Sequence, residues 1–246
     1  MPKRTDRRLI FSAVLMIAAV PLALALGMTV LRDRSGYLAA TAVLVSAMLP
    51  FFLAFDRRGP DARELVLICA LAAVAVIGRV AFFLLPGFKP VAAIVIVSAV
   101  CLGPEAGFLV GALAGFVSNF FFGQGPWTPW QMFAFGAVGF GAGLLFRNRK
   151  PGRAAVCVYG GLATLVIYGG LMNLDSVLTL STSFNPQAVA AVYLAGLPYD
   201  LIHAGSTVLF LFFVEEPMRG KIERIRVKYG LINKNSPPEQ PESTER

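Results

Sequence analysis

Runs of about twenty residues that are almost free of charge recur along most of the chain, and no other feature limits its folding so strongly. A run of that length in helical form crosses the hydrocarbon of a bilayer. Inside the bilayer every backbone N–H and C=O must be paired internally, which leaves helices and closed barrels as the options. Barrel strands alternate apolar and polar residues in segments of about ten; here the runs are continuous. Composition agrees, with 57% hydrophobic and 15% charged residues, against about 25% charged in an ordinary soluble domain. The expected fold is an all-α, polytopic membrane helix bundle of about eight transmembrane helices, near 9–31, 37–55, 64–85, 89–102, 105–122, 129–146, 154–172 and 190–214. The first run follows "MPKRTDRR" and lacks a clean small-residue cleavage site, so it is expected to remain as a helix rather than act as a signal peptide.

The net charge of +8 would point to nucleic acid in a soluble protein, but its distribution points to topology. With the N-terminus in the cytoplasm, the inner side receives Lys3, Arg4, Arg7, Arg8, Arg57, Arg58, Arg63, Arg147, Arg149, Lys150, Arg153 and the seven basic residues after Pro217. The outer side receives only Arg32, Arg34 and Lys89. Such asymmetry is the positive-inside pattern. It predicts a bacterial cell-membrane protein with both termini cytoplasmic, its basic surface facing lipid headgroups, and no nucleic-acid partner. Four stretches follow: an N-terminal hairpin at 1–60, a six-helix domain at 61–216, a basic amphipathic segment at 217–232 lying on the inner surface, and a proline-rich tail at 233–246, expected to be disordered.

Between the fifth and sixth runs lies "NFFFGQGPWTPWQM" (119–132). Gly123, Gly125, Pro126 and Pro129 direct its backbone, so Trp127 and Trp130 are held in defined places. Tryptophan at a membrane interface is commonly an anchor. That does not account for Asn119, Gln124 and Gln131 in the same stretch. Amides facing lipid would be costly, whereas amides facing a shared cavity could orient a small molecule between aromatic faces. Flanking helices carry Gly107, Gly111 and Gly115 on one face and Gly139 and Gly143 on another, a pattern that lets helices approach closely and would hold the corner rigid.

Three ionisable residues sit inside apolar runs. Arg79 precedes "VAFFLLPGFKP"; a charge at the bilayer centre costs about 2.5–3.5 kcal/mol, so it should face protein or water, paired with a carboxylate or contacting a ligand. The following loop, ending at Lys89, could serve as a lid. In "LAGLPYDLIHAG", Asp200 and His203 are three residues apart and share a helix face, with ligand contact, gating or an Asp200–Arg79 pair as their alternatives. Pro198 suits a kink or a first helical turn. Asn173, Asp175 and Asn185 could contribute from the loop before that helix.

No GxxxxGK[ST], HExxH or GxSxG occurs, and one histidine cannot build a multi-histidine metal site. Cys69, Cys101 and Cys157 have no CxxC spacing and read as packing residues. No catalytic constellation, cofactor or metal is therefore expected.

The segments "RVAFFLLPGFKPVAAIVIVSAVCLGPEAGFLVGALAGFVSNFFFGQGPWTPWQMFAFGAVGFGAGLLF" (79–146) and "GLPYDLIHAG" (196–205) resemble the substrate-binding S component of energy-coupling factor vitamin transporters. The resemblance covers roughly 64–216 and implies a six-helix fold with an outward-facing vitamin site, partnered by a transmembrane T component and two cytoplasmic ABC-type ATPases. Such components typically have six helices, so the hairpin at 9–55 is extra. Many dock their T component through an Ala-x-x-x-Ala face on the first helix; "LVLICALAAVAVIG" (65–78) offers Cys69 and Ala73, backed by Ala70 and Ala72, instead. The expected function is capture of a vitamin-like solute, with a planar ring of cobalamin or flavin type favoured by the aromatic residues. The candidate contacts are Arg79, Lys89, Asn119, Gln124, Trp127, Trp130, Gln131, Asn173, Asp200 and His203. A different class, a stand-alone ion- or proton-coupled carrier, would use Arg79, Asp200 and His203 as a relay. Of a third reading, an intramembrane enzyme lacks a recognisable catalytic group, and a purely structural assembly protein would be favoured by a bundle with no ligand pocket.

Overall fold

The computed structural model describes residues 13–15, 17, 18, 21, 22, 25, 34–56, 61–147, 151–180 and 186–231. The helix expected at 9–31 lies largely outside these residues, as do Asn185 and the tail at 233–246. Among the described residues the regular elements are all helical: α1 (Arg34–Asp56), α2 (Ala62–Ala81), α3 (Val91–Leu102), α4 (Pro104–Phe122), α5 (Thr128–Leu145), α6 (Arg153–Ala163), a π-helical turn (Thr164–Gly169), α7 (Gly170–Leu180) and α8 (Pro186–Lys228). Among these residues four stretches are long and apolar enough to cross a membrane: Ala62–Ala81, Pro104–Phe122, Arg153–Leu180 and Pro186–Lys228. The chain is a multi-pass membrane protein with a helix-bundle fold.

α3 forms the centre. From Val91 to Ala99 all nine residues are buried, and at 1.5 Å per residue its 12 residues reach only about 18 Å. A helix apolar on every side belongs inside a bundle rather than on its rim. It ends at Gly103, whose φ of 95° is accessible chiefly to glycine; Pro104 then starts α4 at a position where its missing N–H costs nothing. Thus "CLGPEAG" reverses the chain in one step.

α4 and α5 form the tightest pair, and the glycine faces explain why. A Cβ on Gly111 would lie 2.4 Å from the Phe135 carbonyl oxygen, one on Gly139 would lie 2.4 Å from the Gly107 carbonyl oxygen, and one on Gly143 would lie 2.5 Å from Pro104. The two backbones are in direct contact, as the four-residue glycine spacing predicts.

α1 packs against this pair. Ala40, Leu44, Ala47, Met48, Phe51 and Phe55 make one buried face, and the Phe51 ring stacks on Phe108 at 4.0 Å and meets Phe140 edge-on at 5.1 Å. At the far end of the bundle Arg153 on α6 pairs with Glu216, and Arg219 lies 3.0 Å from the buried Glu215 and 3.1 Å from the Pro151 carbonyl.

Two stretches differ from the sequence expectation. The helix expected at 154–172 continues to Leu180 through a π-helical turn. The helix expected at 190–214 runs from Pro186 to Lys228, with Pro198 and Pro217 inside it, so residues 217–228 extend the same helix. A proline removes one hydrogen bond in a helix interior, and the bonds on either side carry this helix past both sites. Pro198 therefore occupies an interior position rather than a first turn.

The backbone contact between α4 and α5 gives a direct test. Gly111→Ala should destabilise the protein by about 1–3 kcal/mol, because its new methyl meets backbone that cannot rotate away. Gly205→Ala, with nothing within 4 Å of its would-be Cβ, should not destabilise at all. Thermal unfolding of both variants in the same detergent compares them.

Candidate functional site

The corner between α4 and α5 is folded by its own amides. Gly123 ends α4 with φ of 99°, a conformation that side chains disfavour. Thr128 then gathers the turn: its hydroxyl accepts from Asn119 Nδ2 at 3.1 Å and from the Gly125 N–H at 3.2 Å, and donates to Gln124 Oε1 at 2.9 Å. Gln124 Nε2 donates to the Phe116 carbonyl at 3.0 Å. Asn119 and Gln124 therefore spend hydrogen bonds on holding the corner shut.

The two tryptophans diverge. Trp127 is 42% exposed and its ring lies where a Gly125 side chain would otherwise stand, 2.3 Å from the would-be Cβ; this is the exposure of an interfacial anchor. Trp130 is buried and turns toward α1, where its indole N–H donates to Thr41 Oγ1 at 3.2 Å. Neither is in ring contact with the polar cluster described next.

That cluster begins at Arg79, on the last turn of α2. Its Nη1 donates to Asn119 Oδ1 at 2.9 Å and to the Ser118 hydroxyl, while its Cζ lies 4.4 Å from the Phe122 ring centroid and 6.0 Å from that of Phe135. Among the described residues no carboxylate pairs with it. Phe135 leads onward: its ring is 4.4 Å from Tyr168 and 6.2 Å from His203, and Tyr168 meets His203 edge-on at 4.7 Å. Tyr199 approaches His203 at 6.3 Å. Gln131 enters from α5, where Nε2 donates to the Tyr168 hydroxyl at 2.7 Å.

Several polar atoms here have no partner among the described residues. Both ring nitrogens of His203 and Oε1 of Gln131 are buried without a hydrogen bond, although His203 is only 2% exposed. Buried polar atoms in folded proteins are nearly always paired. Unpaired ones that border aromatic faces leave hydrogen-bonding capacity for a bound molecule.

Asp200 and Asn173 are brought together, with Asn173 Nδ2 donating to Asp200 Oδ2 at 2.6 Å. Glycines make the room: a Cβ on Gly169 would lie 2.7 Å from the Asp200 carboxyl carbon, and one on Gly196 would lie 2.2 Å from Asn173 Oδ1. The considered Asp200–Arg79 pair is absent, because each is engaged elsewhere. Arg79, Asp200 and His203 make no hydrogen bond to one another. Asp175 sits apart from this group and accepts from the Tyr37 hydroxyl at 2.9 Å.

Lys89 closes the loop between α2 and α3. Its Nζ donates to the Phe82 carbonyl and, at 3.2 Å, to the Phe83 carbonyl, so a cation caps the end of α2, where helix carbonyls carry partial negative charge. Its Nζ also lies 5.3 Å from the Phe122 centroid. Burial, and then the charge of Arg79, push the Lys89 ammonium below its usual range. The loop rests on α8 through Ser206, whose hydroxyl lies 3.3 Å from both the backbone N–H and the carbonyl of Lys89.

Sequence reasoning missed Ser118, Phe122, Phe135, Tyr168 and Tyr199. Ser118 stood beside Asn119 as a second polar residue in an apolar run and was a usable signal; the aromatics were indistinguishable from core. Among the described residues no group of three or more His, Cys, Asp or Glu could hold a metal ion.

Comparison with known proteins adds an independent line. A family model described as "ECF-type riboflavin transporter, S component" matches residues 61–214. A UPF0397 protein of Vibrio atlanticus (strain LGP32) is 29% identical over 158 residues, covering 61% of this chain and 85% of the relative. A UPF0397 protein of Aliivibrio fischeri (strain MJ11) is 36% identical over 158 residues, covering 61% and 84%. No solved structure matches. The matched stretch begins at the Asp61 cap of α2, so α1 lies outside it.

The Asn173–Asp200 contact can be measured. Asn173→Ala strips Asp200 of its amide partner and should cost about 1–3 kcal/mol. The double variant N173A/D200A should cost less than the sum of the single variants, and a double-mutant cycle on thermal unfolding in detergent reads the difference.

Proposed function

The chain belongs to the ECF-type riboflavin transporter S component family, a family of substrate-binding transport subunits, and on that premise we propose that it captures a vitamin or related small molecule at the Arg79–Gln131–Tyr168–His203 cluster. One observation carries this reading: polar atoms from α5 and α8 border the same aromatic rings and find no partner among the described residues, namely Gln131 Oε1 and both His203 nitrogens. A bundle built only for packing would have apolar residues there. The faces of Phe122, Phe135, Tyr168 and Tyr199 suit a solute with a planar ring.

The charge asymmetry supports an orientation in which the corner and this cluster face outside, with both termini in the cytoplasm. Asn119 and Gln124 act as builders of the corner, Lys89 and its loop as the cover, and Asn173 with Asp200 as the polar edge on α8. Trp127 serves as an interfacial anchor, and Trp130 as the link to α1. The hairpin at 1–60 precedes the substrate-binding domain at 61–216, and residues 217–232 meet the inner lipid surface.

No GxxxxGK[ST] occurs in the sequence, so ATP-driven import by way of such a loop requires partners. In this reading they are a transmembrane T component and two cytoplasmic ABC-type ATPases. Cys69, Ala70 and Ala73 share the exposed side of α2, and their small side chains permit the close helix approach that such docking needs. The carrier alternative loses ground, because Arg79, Asp200 and His203 make no direct hydrogen bond to one another.

Titration of the detergent-purified protein against a vitamin panel should find saturable binding by at least one member. Gln131→Leu should weaken that binding about fivefold, the worth of one neutral hydrogen bond. A folded protein that binds no member would refute the proposal. In liposomes containing this chain alone, accumulation driven by an ion gradient would favour the carrier, whereas dependence on copurified ATPases supports the S-component reading.

A further inference from the structure

Arg79 is a permanent cation whose partners among the described residues are all uncharged. Only Nη1 is engaged, by the Ser118 hydroxyl and Asn119 Oδ1, and the rest of its surroundings are the faces of Phe122 and Phe135. Nε and Nη2 make no hydrogen bond among the described residues, which leaves one edge of the guanidinium fork uncommitted. The side chain is nevertheless 8% exposed. A second cation stands close by: Lys89 Nζ and Arg79 Cζ lie 5.3 and 4.4 Å from the same Phe122 centroid, so they are no more than about 10 Å apart, and Lys89 is 6% exposed.

Among the described residues the three buried acids are committed elsewhere. Asp200 is held by Asn173, Asp175 by Tyr37, and Glu215 lies beside Arg219 at the far end of α8. Two like charges buried beside the same aromatic ring repel each other and lose solvation together. The arrangement is relieved by an anion between them. A planar guanidinium with one free edge favours a carboxylate or phosphate, which it can engage through two parallel hydrogen bonds.

We propose that the solute carries an anionic oxygen group, and that this group seats on the free edge of Arg79 with Lys89 as the second positive charge. The inference rests on the reading of this cluster as the solute site. It assigns Arg79 as the residue that selects charged solutes over uncharged ones of the same shape. The rings and the unpaired atoms of Gln131 and His203 receive the uncharged part of the molecule.

The test compares matched pairs on the wild-type protein in a nonionic detergent free of anionic lipid: riboflavin against riboflavin 5′-phosphate, pantothenol against pantothenate, and biotinamide against biotin. In a pair that binds, the anionic member should bind at least tenfold more tightly. Arg79→Gln should abolish that preference, and Arg79→Lys, which keeps the charge but loses the fork, should retain part of it. Equal binding of both members, or tighter binding of the uncharged one, overturns the inference and leaves the solute site standing. Absence of binding by every member removes the site and the inference together. A lipid phosphate presents the same chemistry. If phosphatidylglycerol added to the micelles binds at Arg79 while no soluble anion outperforms its uncharged partner, the position belongs to lipid and the inference fails. Because the pairs are measured on unaltered protein, a poorly folding variant cannot hide the answer.

Discussion

Backbone-on-backbone contact between α4 and α5 is the constraint from which the geometry of the corner follows. Gly107, Gly111, Gly139 and Gly143 leave no side-chain layer between the two helices, so a displacement of one helix is transmitted directly to the other. In lipid there is little hydrophobic force to drive helices together, and close van der Waals packing takes its place. Asn119 and Gln131, at the facing ends of α4 and α5, are thereby held on a common frame. Without that contact, the bonds from Arg79 to Asn119 and from Gln131 to Tyr168 would be anchored on two helices that move independently.

The frame also clarifies how a charge is kept within an apolar bundle. Arg79 is bound to Ser118 and Asn119 at the end of α4, where the corner begins. Asn119 faces both ways, accepting from Arg79 and donating to Thr128. The corner's shape and the position of the guanidinium are therefore one structure. A change that relaxed the turn at Thr128 would be felt at Arg79 through a single amide.

Much of this was legible in the sequence, and the remainder was hidden for physical reasons. Apolar run length gave the helices, glycine spacing gave the α4–α5 contact, and Arg79, Asp200 and His203 stood out because ionisable groups in apolar runs are expensive. Partner choice was not legible. Asp200 shares no sequence signal with Asn173, and only the glycines at 169 and 196 reveal the space they occupy. Tyr168 was hidden more deeply. It lies in a π-helical turn, whose extra residue shifts every following side chain around the helix, so a 3.6-residue periodicity misplaces its face. Trp130 misled in the opposite sense: its neighbours in the chain are corner residues, but its indole is claimed by α1.

That claim gives the extra helix a physical role. α1 lies outside the stretch matched by the family model, yet it touches four of the parts that frame the cluster. Tyr37 lies 2.7 Å from the Pro126 carbonyl at the corner and 2.9 Å from Asp175 on α7. Thr41 accepts from Trp130 at the start of α5, and Phe51 is wedged between Phe108 on α4 and Phe140 on α5. A single hydroxyl thus bridges the corner to the helix that follows the Tyr168 turn. Separating the corner from α7 would break the Tyr37 contact on one side or the other and leave a half-buried polar group to be resolvated. The aromatic wedge at Phe51 resists the same movement from the opposite end of α1. The added helix therefore stiffens the frame across elements that the α4–α5 contact alone does not join.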